Sequence, residues 1–252
     1  MGKIITVVNQ KDESGKTTTA VNLAASLGLI EKRTLLLDCD PQGDATDCMK
    51  VSVGPQGPSL FGALTGKNAL SELVRDTELR FLDVIPAGVD LFAADRVFAG
   101  TPGKETLIRN LLSDVLEDID YIVIDTPSSL GVLTTAAVAA SDFIVIPVYC
   151  EPDIMLNLGL LLQTVAGIKK EFNPGMKIAA MVFTRCDSFD EVYRYVPPDW
   201  LEGVGKNVLL STVAKYDGKN VSGSRPAAFV LEDVMSMPAE NYLDLALELV
   251  RT

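Results

Sequence analysis

Along this chain, short apolar runs alternate with longer stretches of helical periodicity. Lys3 to Asn9 (KIITVVN) reads as a strand, and Lys16 to Ile30 then places Val21, Leu23, Leu27 and Ile30 at helical spacing. A strand followed directly by such a helix opens a βαβ unit. Further strands are predicted at Thr34 to Asp38 (TLLLD), Phe81 to Pro86, Tyr121 to Asp125 (YIVID), Phe143 to Val148 (FIVIPV), Lys177 to Phe183 and Asn207 to Leu210. Several are apolar on both faces, the pattern of a buried, mainly parallel sheet. Helices are predicted at 104–117, 131–140, 153–171 and 239–250. The expected architecture is α/β: one domain over residues 1–252, a three-layer, doubly wound sheet. Val53 to Ser59 and Asp217 to Pro226, with Pro197-Pro198 between them, are rich in turn-forming residues and read as surface loops.

Composition narrows the chemistry. Hydrophobic residues make up 48% of the chain, yet no run of eighteen is apolar, and Met1-Gly2-Lys3 passes straight into the first strand. A soluble, cytoplasmic protein is expected. There is no histidine, which removes imidazole-based nucleophilic sites and histidine-ligated metals. The four cysteines, Cys39, Cys48, Cys150 and Cys186, are scattered without a C-x-x-C pair, so reduced, mostly buried thiols are expected rather than a disulfide scaffold or a zinc site. A net charge of −12 argues against broad attraction to nucleic acid or anionic membrane.

The stretch NQKDESGKTTT, residues 9–19, lies between the first strand and the first helix. Backbone N–H groups at a helix mouth can converge on one anion while a lysine reaches outer phosphates. Gly15-Lys16-Thr17-Thr18 suits that geometry, with Lys16 on the β and γ phosphates and the Thr17 hydroxyl on Mg²⁺. An ordinary strand-to-helix turn with an exposed lysine would read similarly. Two further strand ends carry carboxylates: Asp38 and Asp40 follow TLLL, and Asp125 follows YIVI. Three acids around a phosphate loop make sense if Mg²⁺ sits among them; each alone could equally cap a turn.

The segments NQKDESGKTTTAVNLAASL, LLLDCDPQGDAT, YIVIDTPSSLGVLTTAAVAASDFIVIPVYCEP and FTRCD resemble the ParA/MinD family of deviant Walker ATPases, ParA/Soj-type partition proteins among them. The likeness covers nearly the whole chain, in order. It implies a P-loop NTPase-like fold that binds ATP and Mg²⁺, hydrolyses ATP slowly under partner stimulation, and cycles between monomer and ATP-sandwiched homodimer. By the same likeness Lys11 matches the signature lysine that reaches across the dimer, Lys16 the loop lysine, and Thr17 the metal hydroxyl. Asp40 matches the acid that orients the hydrolytic water. Asp38 and Asp125 match the acids that hold Mg²⁺, and Thr184 and Arg185 the place where the base is read. Asp12, Glu13, Ser14 and Thr18 complete the loop around the phosphates. Partition of DNA or positioning of a cellular cargo, with a ParB-like stimulating partner, is the implied output.

The loop departs from the family pattern KGG-x-GK-T-[ST] at Asp12-Glu13, where the family has two glycines. A unit charge about 4 Å from a phosphate charge costs roughly 1 kcal/mol in water and roughly 4 at an effective dielectric of 20. Glycine also suits positive φ, which glutamate adopts poorly. The loop GPESSGKTT of RecA-like recombinases resembles this one in carrying a carboxylate at the position of Asp12. Nucleotide binding is therefore expected to survive, with Asp12 pairing across the dimer with Lys11 or an arginine. The alternative is a nucleotide-binding scaffold with weak or lost hydrolysis that acts through protein contacts. A thin basic patch (Lys206, Lys215, Lys219, Arg225) is the candidate DNA contact, and a solvated loop would read the same way. The tail NYLDLALELVRT lacks the basic face of a membrane helix and is expected to pack in the core.

Overall fold

A computed structural model describes residues 2–51, 57–113, 115, 117–215 and 228–251. In chain order its main elements are β1 (Lys3–Val7), α1 (Lys16–Leu29), β2 (Thr34–Asp38), α2 (Asp44–Cys48), α3 (Leu60–Leu64), β3 (Arg75–Asp76), β4 (Leu82–Ile85), α4 (Ala94–Phe98) and α5 (Leu107–Leu112). There follow β5 (Tyr121–Asp125), α6 (Val132–Ala140), β6 (Phe143–Tyr149), α7 (Ile154–Phe172), β7 (Lys177–Thr184), α8 (Phe189–Val192), α9 (Pro198–Gly205), β8 (Leu209–Val213), α10 (Phe229–Glu232) and α11 (Met237–Val250).

The strands form one sheet in the order β3-β4-β2-β5-β1-β6-β7-β8, parallel except for β3 against β4. Strand side chains alternate between two packed faces. Leu36, Val123 and Val145 face α1 and α11, joining Leu23, Leu27, Leu245 and Leu249 in one core. Leu35, Leu37, Ile122 and Ile124 face the other way, onto α5 and α6, while Ile144, Ile146 and Phe183 meet α7. This burial on both sides is why these strands are continuous apolar runs.

The chain runs from β1 to β2 on one side and reaches β6 on the other, with β5 inserted between β1 and β2. The direction of winding therefore changes beside β1, and a ligand crevice is expected at the carboxyl ends there. Register fixes what those ends carry: Val7 pairs with Asp125, and Asp125 with Asp38.

Several elements differ from the sequence expectation. The helix expected over 104–117 is α5 alone, preceded by a 3₁₀ turn at Lys104–Thr106 that follows Gly103 in the left-handed region. The last strand begins at Leu209 rather than Asn207, because the Asn207 N–H still donates to the Val204 carbonyl, at 3.1 Å, in the turn closing α9. Pro197-Pro198 is the start of α9 rather than a loop: Pro198 sits in its first turn, where a missing N–H costs nothing. Ser59, read as the end of a loop, caps α3 by accepting from the Gly62 N–H at 3.0 Å. The loop read at Asp217 to Pro226 lies outside the described residues. The tail expected to pack in the core does so as α11, whose Tyr242, Leu245, Ala246 and Leu249 are buried. No helix among the described residues is long and apolar enough to cross a membrane.

Candidate functional site

The segment from Asn9 to Gly15 arches from β1 to α1 at this switch point. The Asn9 amide fastens its start, donating to the Pro147 carbonyl at 2.7 Å and accepting from the Lys11 N–H at 2.9 Å, a side-chain-closed turn. Gly15 fastens its end in the left-handed region, with φ at 91°. A Cβ there would lie 3.1 Å from the Thr184 methyl, so both conformation and space favour glycine. From the other side, Thr184 donates its hydroxyl to the Ser14 carbonyl at 3.1 Å.

Glu13 has φ at 58°, in the left-handed region where most side chains are strained by about 1–2 kcal/mol. The conformation that makes glycine useful is thus retained here without glycine. Asp12 and Glu13 are both exposed. Ser14, in contrast, is buried, and its hydroxyl lacks a partner among the described residues.

Lys16, the first residue of α1, is buried and donates to the Lys11 carbonyl at 3.1 Å, which folds its ammonium back over the loop. Burial pulls its pKa down, opposed by the charges of Asp125, Asp12 and Asp40. Below it lie the paired strand ends. Asp38 is fully buried and accepts from the Thr46 N–H at 2.8 Å, the Thr46 hydroxyl at 2.6 Å and the Asp40 N–H at 3.1 Å. Burial raises its pKa to about 6 despite these donors. Asp125 is also fully buried, and neither carboxylate oxygen has a hydrogen bond of good geometry, although the Thr17 hydroxyl lies close enough to act on it as a donor. Burial first, and then the Asp38 charge, push the Asp125 pKa well up.

Two neighbouring buried carboxylates beside a threonine hydroxyl and a lysine suit a hydrated cation: hard oxygen donors, one of them with unused lone pairs, at the mouth of a phosphate-type loop. Among the described residues no three acidic or thiol groups stand close enough to cage a metal unaided. A Mg²⁺ held here would complete its shell with water and phosphate oxygens, which is how that ion usually binds.

Asp12, Glu13, Gly15, Lys16, Thr17 and Thr18 form one wall of a cavity of about 660 Å³, and Asp40 and Arg185 form others. That size falls within the range of small-ligand sites, about 300–1,000 Å³. Arg185, itself at φ 58°, lays its guanidinium over the Tyr149 ring, 5.2 Å from the centroid. Asp38 and Asp125 sit beneath the cavity rather than in its wall. Thr184 is away from it as well: its hydroxyl is spent on the Ser14 and Val148 carbonyls, a propping role that the sequence reading did not foresee. Lys11 is turned aside into an ion pair with Glu151, the residue two after β6.

The cavity also takes in Pro127, Ser128, Ser129 and Gly131 before α6, and Leu91 and Phe92 before α4. Asp95 joins the two by accepting from the Val132 N–H at 2.7 Å, capping α6 from another element. No local spacing signals that contact. Of the predicted basic patch, Lys206 is exposed at the end of α9 and Lys215 is drawn to Glu191 at 3.1 Å and to Asp187 at 4.0 Å, while Lys219 and Arg225 lie outside the described residues.

A protein-family profile described as an AAA domain matches residues 2–178. The chromosome partitioning protein ParA of Myxococcus xanthus is 37% identical over 100% of this chain and 89% of its own. The sporulation initiation inhibitor protein Soj of Bacillus subtilis is 37% identical over 98% of each. Among solved structures, a cobyrinic acid a,c-diamide synthase from Mycobacterium smegmatis with bound ADP and magnesium superposes with a TM-score of 0.80 at 26% identity, over 100% of this chain and 95% of that one.

Proposed function

The chain belongs to the ParA/MinD family of P-loop ATPases, and from that premise we propose that it binds ATP with Mg²⁺, hydrolyses it, and uses the cycle to change between monomer and homodimer. The observation that carries this reading is the pairing of Asp38 and Asp125 on adjacent strand ends beneath Lys16 and Thr17. Buried like charges of this kind are costly without a cation.

In this mechanism the N–H groups from Glu13 to Thr18 face the phosphates, with Lys16 releasing the Lys11 carbonyl to reach the outer ones. Thr17, Asp38 and Asp125 would hold the ion, which, when bound, neutralises charge developing on the transferred phosphoryl group. Asp40, half-buried in the cavity wall with its side chain free of Thr46, is the group proposed to orient an attacking water. Its backbone is held by the Asp38 carboxylate at 3.1 Å, and its own side chain closes the turn by accepting from Gln42 N–H at 2.9 Å. Arg185 on its tyrosine platform is the group nearest in kind to a base contact. Lys11 is the group proposed to reach the partner protomer's phosphates, once released from Glu151. DNA or a cargo surface, and a ParB-like stimulating protein, are the proposed partners, in a cytoplasmic setting.

Calorimetry of the full chain with ATP and magnesium tests the binding step: heat is expected with wild type and none with Lys16→Ala. Absence of heat for wild type with ATP, ADP and a nonhydrolysable analogue overturns the reading. A second reading, a nucleotide-binding scaffold with little turnover, draws on the strained Glu13 and on Lys11 being held in cis. Single-turnover hydrolysis, with and without DNA, separates the two.

A further inference from the structure

Cys150 and Cys186 are far apart in sequence and adjacent in space. Cys150 follows the last residue of β6 and Cys186 lies two beyond β7, and those strands pair in parallel up to Tyr149 and Thr184. Each thiol shifts the titration of the other, and the two side chains pack in the same apolar cluster. Cys150 is half-buried and reaches solvent, whereas Cys186 is 2% exposed. Neighbouring strands lie about 4.7–4.9 Å apart, close to the Cα separation of about 5.5–6 Å that a disulfide prefers. The other two thiols differ: Cys39 is sealed in the core and Cys48 belongs to α2.

We propose that Cys150 and Cys186 form a redox-active dithiol, oxidised by small-molecule disulfides such as glutathione disulfide, whose closure restrains the candidate nucleotide site. The exchange balances in two steps. The Cys150 sulfur attacks the small disulfide, forming a mixed disulfide and expelling one small thiolate. The Cys186 sulfur then attacks Cys150, expelling the second. Two protein thiols are oxidised, one small disulfide is reduced to two thiols, and the protons lost by the cysteines pass to the leaving thiolates. Their mutual interaction raises the Cys150 pKa and lowers that of Cys186 in the reduced pair, so loss of the Cys150 proton is the slow step; once the mixed disulfide has formed, Cys186 attacks as it gives up its own proton.

The consequence follows from the neighbours. Cys150 precedes Glu151, the partner of Lys11, and Cys186 follows Arg185, which lines the cavity. Between the strands, Thr184 holds the Ser14 carbonyl. A covalent tie across these two strand ends fixes the turns that carry Glu151 and Arg185, both of which have to move if Lys11 is to be released and a base admitted. This last consequence rests on the proposed ATPase cycle; formation of the tie does not.

The test equilibrates the full chain with mixtures of reduced and oxidised glutathione. Peptide mapping is expected to find Cys150 joined to Cys186, with slower amide exchange in the two strand-end turns and ATP turnover reduced by about tenfold or more, as misplacement of site groups can cause. Dithiothreitol restores turnover, and Cys150→Ser and Cys186→Ser each keep basal turnover while losing the response. The proposal is overturned by a stable glutathione adduct on Cys150 without the cross-link, by thiols that stay free, or by a cross-link that leaves both exchange and turnover unchanged. Absence of turnover in the reduced protein counts against the ATPase reading alone, since mapping and amide exchange still decide whether the dithiol closes.

Discussion

The Lys11 ammonium is ion-paired with the Glu151 carboxylate within the same protomer, two residues beyond β6 and away from the cavity wall. Each side chain is partly exposed, so the pair is worth no more than about 1 kcal/mol. A contact that weak suits a residue that must change partners. Glu151→Gln is expected to free Lys11 and lower, by about fivefold, the ATP concentration at which light scattering first detects a dimer. An unchanged concentration dependence would show that Lys11 release does not limit assembly.

The strain at Glu13 can be removed without touching the phosphates. Replacing it by glycine relieves about 1–2 kcal/mol of left-handed strain and returns part of that as added freedom in the unfolded chain, for a net gain of about 1 kcal/mol. For a protein of this size the thermal midpoint should rise by about 2–4 °C in calorimetry without nucleotide. The companion variant Asp12→Gly removes a charge that acts on Lys16, so it should alter nucleotide affinity far more than thermal stability.

Stability of the nucleotide-free protein should depend on pH through Asp38. Its folded pKa, raised to about 6, exceeds the unfolded value of 3.8, so the native state binds the proton more tightly. No difference arises below the unfolded value. As pH rises between the two, the unfolded state ionises first, and native stability falls by an amount on the order of 3 kcal/mol by the time Asp38 ionises. Asp125, raised for the same reason, extends the fall to higher pH. Urea midpoints measured from pH 4 to 7 should show this decline. Asp38→Asn should flatten it, and saturating ATP with magnesium should stabilise the protein most at the upper end.

Thr184 offers a test of positioning. Thr184→Val keeps the methyl group against Gly15 and removes the hydroxyl bond to the Ser14 carbonyl, worth about 1 kcal/mol. The Michaelis constant for ATP is expected to rise about fivefold with kcat nearly unchanged, because the loop is loosened before the phosphates bind. A fall in kcat alone would place Thr184 in the chemical step instead.

How far the fold could be read from sequence depended on the range of the interactions involved. Strands such as YIVID and TLLLD, buried on both faces, announce themselves through local composition, and the strand–loop–helix at residues 3–29 does so through periodicity. The loop lysine, Thr17 and the carboxylates at strand ends were visible because the sheet presents strand termini at one edge. Asp95 capping α6 and Thr46 saturating Asp38 were not visible, since each joins elements whose meeting is set by the whole fold. The short helices α2, α3 and α4 escaped for a related reason: a five-residue turn carries too little periodicity to stand out. In sequence Thr184 reads as a base contact or simply as a polar strand end, while the direction of its hydroxyl depends on a loop that lies 170 residues earlier.

The hydroxyl of Tyr242, fully enclosed on α11, meets that of Thr19 on α1 at 3.1 Å, and the Val230 N–H reaches the Asn22 amide oxygen at 3.0 Å. The matched family segment stops at residue 178, yet the helix that opens the phosphate loop is clad by residues near the opposite end of the chain. A truncation made at that boundary would strip the cladding from α1 and remove the contacts that Tyr242 and Val230 make with Thr19 and Asn22. The matched segment therefore cannot be cut out as a minimal fragment, and an enzymologist shortening this protein for expression should retain α11.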